Sequence, residues 1–187
     1  MKLRSQFIYF LFVVILTTTL VSCVKDVALP ENQDTLLEPE LTSGLVFFNL
    51  EGSDFFDADN NQPRDILYDQ TLIGFLDDES LRDKTERVFF EFTFENTFNT
   101  PFEVNFYFKD SDEVVHYTEA TFVDLGSDTS PTIHNYNFAV SGADLDNLVL
   151  ANTFAIELIP ETTPSPLDAG QLNLQSQLTY FLNITGE

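Results

Sequence analysis

From Gly44 onward, apolar and polar residues alternate with a period of two, the pattern of strands that bury one face. Phe90, Phe92 and Phe94 point one way, and Glu91, Thr93 and Glu95 the other. After the turn-forming stretch Asn96-Thr97-Phe98-Asn99-Thr100-Pro101, the pattern resumes with Phe102, Val104, Phe106 and Phe108, with Glu103, Asn105, Tyr107 and Lys109 opposite. Two such runs joined by a short polar link predict an antiparallel hairpin. In the last run Leu172, Leu174, Leu178, Tyr180, Leu182 and Ile184 share a face that only Ser176 interrupts, while Asn173, Gln175, Gln177, Thr179 and Asn183 share the other. Less regular strands are predicted over 45–50, 66–76, 114–125, 133–140 and 153–159. One helical signal, over 142–151, places Asp144 to cap a turn carrying Leu145, Leu148 and Val149, and predicts a crossing between sheets. Strands with one apolar face each must bury those faces against one another. The expected fold is therefore all-β: an antiparallel two-sheet β-sandwich with one short crossover helix. A small closed barrel is the second choice.

The N-terminus follows a different rule. Lys2 and Arg4 precede a continuous apolar run over 7–16. Ten helical residues rise only about 15 Å, half of a bilayer core of about 30 Å, so the run fits a signal helix better than a membrane span. It leads into Leu20-Val21-Ser22-Cys23, which resembles the lipobox of bacterial lipoproteins. That resemblance implies that residues 1–22 are an export signal cut before Cys23. It further implies that the Cys23 thiol receives a diacylglyceryl group and that the new terminus is acylated. Cys23 is the only cysteine of the chain. The alternative reading is an ordinary secretory signal in which Cys23 has no part. Val24 follows the cysteine where an inner-membrane lipoprotein would carry aspartate, which resembles outer-membrane sorting. Val24-Lys25-Asp26 is similar in part to the surface-export signal of Bacteroidetes-type lipoproteins and departs from it by having one acid in place of two. The surface and the periplasmic face of the outer membrane both stay open.

Residues 23–43 carry Pro30, Pro39, five acids and no hydrophobic period, and read as a flexible, charge-extended tether for a body over 44–187. Asp34-Thr35-Leu36 is similar to the O-glycosylation acceptor of Bacteroidetes-type periplasmic proteins, which implies modification at Thr35.

Charge narrows the partners. The chain has 8 Lys+Arg against 31 Asp+Glu, and because Lys2 and Arg4 lie in the signal, the mature chain keeps six basic residues against all 31 acids. Phosphate backbones repel such a body, so nucleic acid is excluded as a partner. Disorder does not follow from the acidity, because 17 of the 20 phenylalanines lie after Cys23, most of them in alternating runs.

Candidate chemistry is sparse. Asp57, Asp59 and Asn61 match calcium-loop ligand spacing, with Asp65 at the ninth position, but Gln62 replaces the turn glycine and Tyr68 the bidentate glutamate. A simpler calcium site built from Asp57, Asp59, Asn61 and Asp65 is the one metal candidate. His116 and His134 are the only histidines, so a three-histidine zinc site is ruled out, and no nucleophile elbow or phosphate loop occurs. His116 and Glu119 should face opposite sides of one strand. Phe55, Phe56 and Phe181 are the candidate exposed aromatics. Glu91-Phe92-Thr93-Phe94-Glu95-Asn96-Thr97, followed by a second Phe-rich strand, resembles immunoglobulin-like envelope lipoproteins of unknown role. Together these readings lead to a non-enzymatic, lipid-anchored outer-membrane module, bound to the membrane by acyl chains on Cys23 and partnered by an envelope protein. The alternatives are a surface glycan- or calcium-binding module and, third, an unrecognised hydrolase.

Overall fold

The computed structural model describes residues 36–37, 39–59, 61–74 and 79–185. The signal over 1–22, Cys23 and Thr35 lie outside the described residues.

Among the described residues ten strands form in chain order: β1 (Leu36–Leu37), β2 (Glu40–Glu51), β3 (Leu67–Leu72), β4 (Thr85–Asn96), β5 (Phe102–Lys109), β6 (Val115–Val123), β7 (Thr132–Ser141), β8 (Thr153–Pro160), β9 (Gln171–Leu182) and β10 (Ile184–Thr185). Two short helices, α1 (Glu79–Arg82) and α2 (Ala143–Leu148), bridge β3 to β4 and β7 to β8. All pairings are antiparallel. One four-stranded sheet has the order β2-β9-β4-β7, the other β3-β8-β5-β6, and β1 pairs with β10 in a small ribbon. The fold is the expected two-sheet antiparallel sandwich. Its strand order is that of the eight-strand double Greek key, or jelly roll. The likeness to immunoglobulin-like proteins thus extends to the sandwich and not to the order of its strands, which in the constant-type immunoglobulin domain is ABED and CFG.

The alternation read from the sequence is reproduced in the burial of β4 from Val88 on and of β5, where every second residue is buried. The predicted β4–β5 hairpin does not form. β4 belongs to one sheet and β5 to the other. The physical reason is that both strands carry phenylalanine on one face, and paired side by side those faces would still need a cover. Placed across the sandwich, each covers the other. Phe92 and Phe106 stack with centroids 4.4 Å apart, and Phe90 meets Phe108 at 5.1 Å. Phe154 from β8 lies 5.1 Å from Phe108. Each buried phenylalanine contributes roughly 1.5–3 kcal/mol, with a further 0.5–1.5 kcal/mol for a well-placed ring pair.

The β4–β5 arch is held by a buried polar side chain. Asn96 Nδ2 donates to the carbonyls of Thr100 and Asp124, both at 2.9 Å, and its Oδ1 accepts from the Phe98 N–H at 2.9 Å. Gly126 must pass against this corner. A Cβ there would lie 1.8 Å from the Asn96 carbonyl oxygen, so only glycine fits.

Ser176, the interruption in the apolar face of β9, has a comparable role. β2 bulges between Gly44 and Phe47, and the Ser176 hydroxyl donates to the Val46 carbonyl at 2.7 Å and accepts the Val46 N–H at 2.8 Å. The bulge frees one residue's backbone groups from the ladder, and the serine satisfies them.

The predicted crossover helix is present as α2, which buries Leu145 and Leu148 between strands of different sheets. Its cap differs from expectation. Gly142, at φ 59°, holds the N-cap position without a side-chain bond, and Asp144 lies in the first turn, where its charge favours the helix dipole. Strand β2 begins at Glu40, ahead of Gly44, because Glu40 to Gly44 pair with Phe181 to Gln177 of β9.

Candidate binding face

The register of the β2-β9-β4-β7 sheet brings its outward residues into rows that cross all four strands. One row is Phe47, Gln175, Thr93 and Asn135, the next Gly44, Gln177, Glu91 and Asn137, and a third Asn49, Asn173, Glu95 and Ile133. Amides and hydroxyls dominate in a chain of net charge −23, and Glu91 and Glu95 are the only charged residues of these three rows. Two contacts link side chains there. Thr93 Oγ1 donates to Asn135 Oδ1 at 3.0 Å, and Gln177 Nε2 donates to Glu91 Oε2 at 2.6 Å. Asn49, Asn137, Asn173 and Gln175 make no side-chain hydrogen bond among the described residues.

Phe47 stands on this face at 67% exposure. The bulge turns it outward, and Gly44 gives it room, since a Cβ at Gly44 would lie 3.0 Å from the Phe47 ring. Gly44, Phe47, Glu91, Thr93, Gln175, Ser176 and Gln177 line a shallow depression of about 460 Å³. At one end of the face the Arg87 guanidinium lies 3.9 Å from the centroid of the half-buried Phe181 ring.

The outer face of the β3-β8-β5-β6 sheet is built differently. Glu157 Oε1 accepts from the Tyr107 hydroxyl at 3.0 Å and from Asn105 Nδ2 at 3.1 Å. Lys109 Nζ donates to Tyr68 Oη at 2.8 Å and to Glu113 at 3.2 Å, and Tyr68 donates to Gln70 at 3.0 Å. The Tyr68 bond raises the pKa of the Lys109 ammonium, and burial, reinforced by Glu157, raises that of the Tyr107 phenol.

Between the sheets, at the β6–β7 seam, Glu119 accepts from the Tyr117 and Tyr136 hydroxyls at 2.6 and 2.8 Å. Burial, then this hydrogen bond, pushes the Tyr117 phenol pKa up and takes that of Tyr136 to about 12. His134 Nε2 bonds Thr121 Oγ1 at 2.8 Å. His116 is apart from Glu119 and bonds Asp110 Oδ2 at 2.9 Å, which lowers the Asp110 carboxyl pKa.

The sequence-derived calcium residues are not gathered into a ligand cage. Asp57 Oδ1 accepts the Asp59 N–H at 3.0 Å, and its Oδ2 faces the exposed Arg64 guanidinium at 3.4 Å. Asn61 adopts φ 53°, its N–H bound to the Asp57 carbonyl, and Asp65 is exposed in the bend beyond. Among the described residues no three His, Cys, Asp or Glu side chains form a metal-holding group. Of the candidate aromatics, Phe55 is wholly buried against Phe98 and Phe102, each at 5.7 Å, and Phe56 is half-buried. Sequence reasoning passed over Phe47 because Phe47-Phe48 carries no alternation to say which ring faces out.

No family model matches the chain, and no curated protein does. Solved structures do match. A Parabacteroides distasonis protein classed provisionally as secreted shares 11% identity over 62% of this chain and 37% of that one, at a TM-score of 0.44. The VP2 subviral particle of infectious bursal disease virus shares 8% over 78% of this chain and 33% of that one, also at 0.44. The enzymatically active domain of bacteriophage CBA120 tailspike protein 4 shares 9% over 78% of this chain and 19% of that one, at 0.38. The chain spans about a third of the length of the first two.

Proposed function

We propose that this protein is a lipid-anchored, non-enzymatic module of the bacterial outer membrane, held by acyl chains on Cys23 and serving an envelope assembly through its sandwich. The observation that carries the binding role is the outer face of the β2-β9-β4-β7 sheet, where amides without internal partners surround an exposed ring. The basic start, short apolar run, lipobox-like tetrapeptide and sole cysteine support the anchor. One acyl chain holds a protein only marginally, whereas the two or three that a lipoprotein carries hold it stably. The non-catalytic part of the reading rests on the sequence, which carries two histidines and neither a nucleophile elbow nor a phosphate loop.

Metabolic labelling with an alkyne fatty acid tests the anchor. The wild-type chain should incorporate label and fractionate with outer membranes, and Cys23→Ser should lose both label and signal processing. A labelled Cys23→Ser chain contradicts the reading.

A further inference from the structure

Resting on that reading, we propose that the outer face of the β2-β9-β4-β7 sheet binds a neutral glycan, with the Phe47 ring as its stacking platform. Three features select this ligand class. First, the only charges in the three central rows are Glu91 and Glu95, and no basic side chain stands there to receive an anionic ligand. A basic partner would be drawn to the acids elsewhere on the body, and an anionic polymer would be repelled by them. Second, free amides such as Gln175 and Asn137 offer a donor and an acceptor side by side. That pairing matches hydroxyl groups, which also donate and accept. Glu91, already steadied by Gln177, adds an acceptor for vicinal hydroxyls. Third, an exposed aromatic ring beside a depression suits the C–H-rich face of a sugar ring, which is apolar and flat. Protein-binding surfaces concentrate aromatic, methionine and arginine anchors in their centres. Here the central rows hold one exposed aromatic ring among amides. The rows lie about 6.6 Å apart along the strands, with strands about 4.8 Å apart. A chain of several sugars laid across the sheet meets amides on β9 and β7, with Thr93 or Glu91 of β4 between them.

The experiment is affinity electrophoresis of the mature protein, with Ser replacing Cys23, through native gels containing dextran, laminarin, yeast mannan or arabinoxylan, with polygalacturonate as the anionic control. A printed array of neutral and anionic glycans extends the panel. We expect at least one neutral polysaccharide to retard the protein, and retardation to persist at high salt because no ion pair is involved. Phe47→Ala should weaken binding about tenfold, the effect of one lost aromatic contact, and Asn137→Asp should weaken it in the same direction. Leu72→Ala on the opposite sheet should bind like the parent. Melting temperatures of all variants should match the parent, which separates lost binding from lost folding. No binding across the panel, binding that Phe47→Ala leaves unchanged, or binding to polygalacturonate alone overturns the proposal. So does a Phe47-dependent dimer or protein complex in sedimentation without glycan retention, which would assign the face to a protein partner while leaving the accessory role intact. The anchor is read separately by the fatty-acid label, so its failure cannot be mistaken for failure of the glycan site.

Discussion

The two outer faces of the sandwich are made by the same kind of alternating strand, yet they differ in what their polar groups do. On the β3-β8-β5-β6 sheet, Glu157, Tyr107, Asn105, Lys109 and Tyr68 bond to one another. On the β2-β9-β4-β7 sheet, Gln175, Asn137, Asn173 and Asn49 are left to solvent. A side chain that already has its partner gains little by exchanging it, whereas one bonded only to water can trade that water for a ligand at small cost. Polarity alone does not distinguish the two faces. Unspent hydrogen-bonding capacity beside the exposed Phe47 ring does, and the proposed glycan site rests on it.

The packed sandwich holds the two faces apart, and removing its central ring pair should have the largest effect. Phe92→Ala deletes the ring stacked on Phe106 and should cost about 3–5 kcal/mol in denaturant unfolding, enough to abolish both faces together. Next comes Phe47→Ala, whose tenfold loss should appear in glycan binding and not in melting. The same pair of measurements on the opposite sheet should reverse. Glu157→Ala strips the Tyr107 hydroxyl of its acceptor, leaves the Asn105 amide with Glu103 alone and should lower stability by about 1 kcal/mol, while Gln175→Ala should be close to neutral. Equal costs for Glu157→Ala and Gln175→Ala would remove the distinction between the faces.

The smallest effect is expected at the seam. The Tyr136 phenol titrates from 10.0 when unfolded but from about 12 when folded. Between those values the unfolded chain releases a proton that the folded chain keeps, so stability falls as pH rises through that window and is constant below it. Tyr136→Phe removes this titration, and its melting temperature should fall less steeply than the parent's from pH 10 to 12.

Much of the strand content was legible in the residues. The runs at Phe90, Phe102, Ile133 and Leu172 lie within β4, β5, β7 and β9, and the helical signal after Gly142 became α2. The candidate face was half legible. Asn173, Gln175, Gln177 and Thr179 already shared one side of the last run, as did Glu91, Thr93 and Glu95 on theirs. Nothing in either run said that the two sides were neighbours. Spacing offered Asp57 and Asp59 as calcium ligands; the nearness of the Arg64 guanidinium to Asp57 is set by the fold of the loop, which spacing does not encode.

Period-two alternation is a local property. It follows from the geometry of one strand, and so within the alternating runs the chain by itself determined which residues share a face. Partner choice is not local. That β9 lies between β2 and β4, that β4 faces β5 across the core, and that Phe47 projects beside Gln175 were decided only when distant apolar faces covered one another. Burial rewards any arrangement that covers the phenylalanines, and only three-dimensional packing selects the one that also satisfies Asn96, Ser176 and the backbone around them.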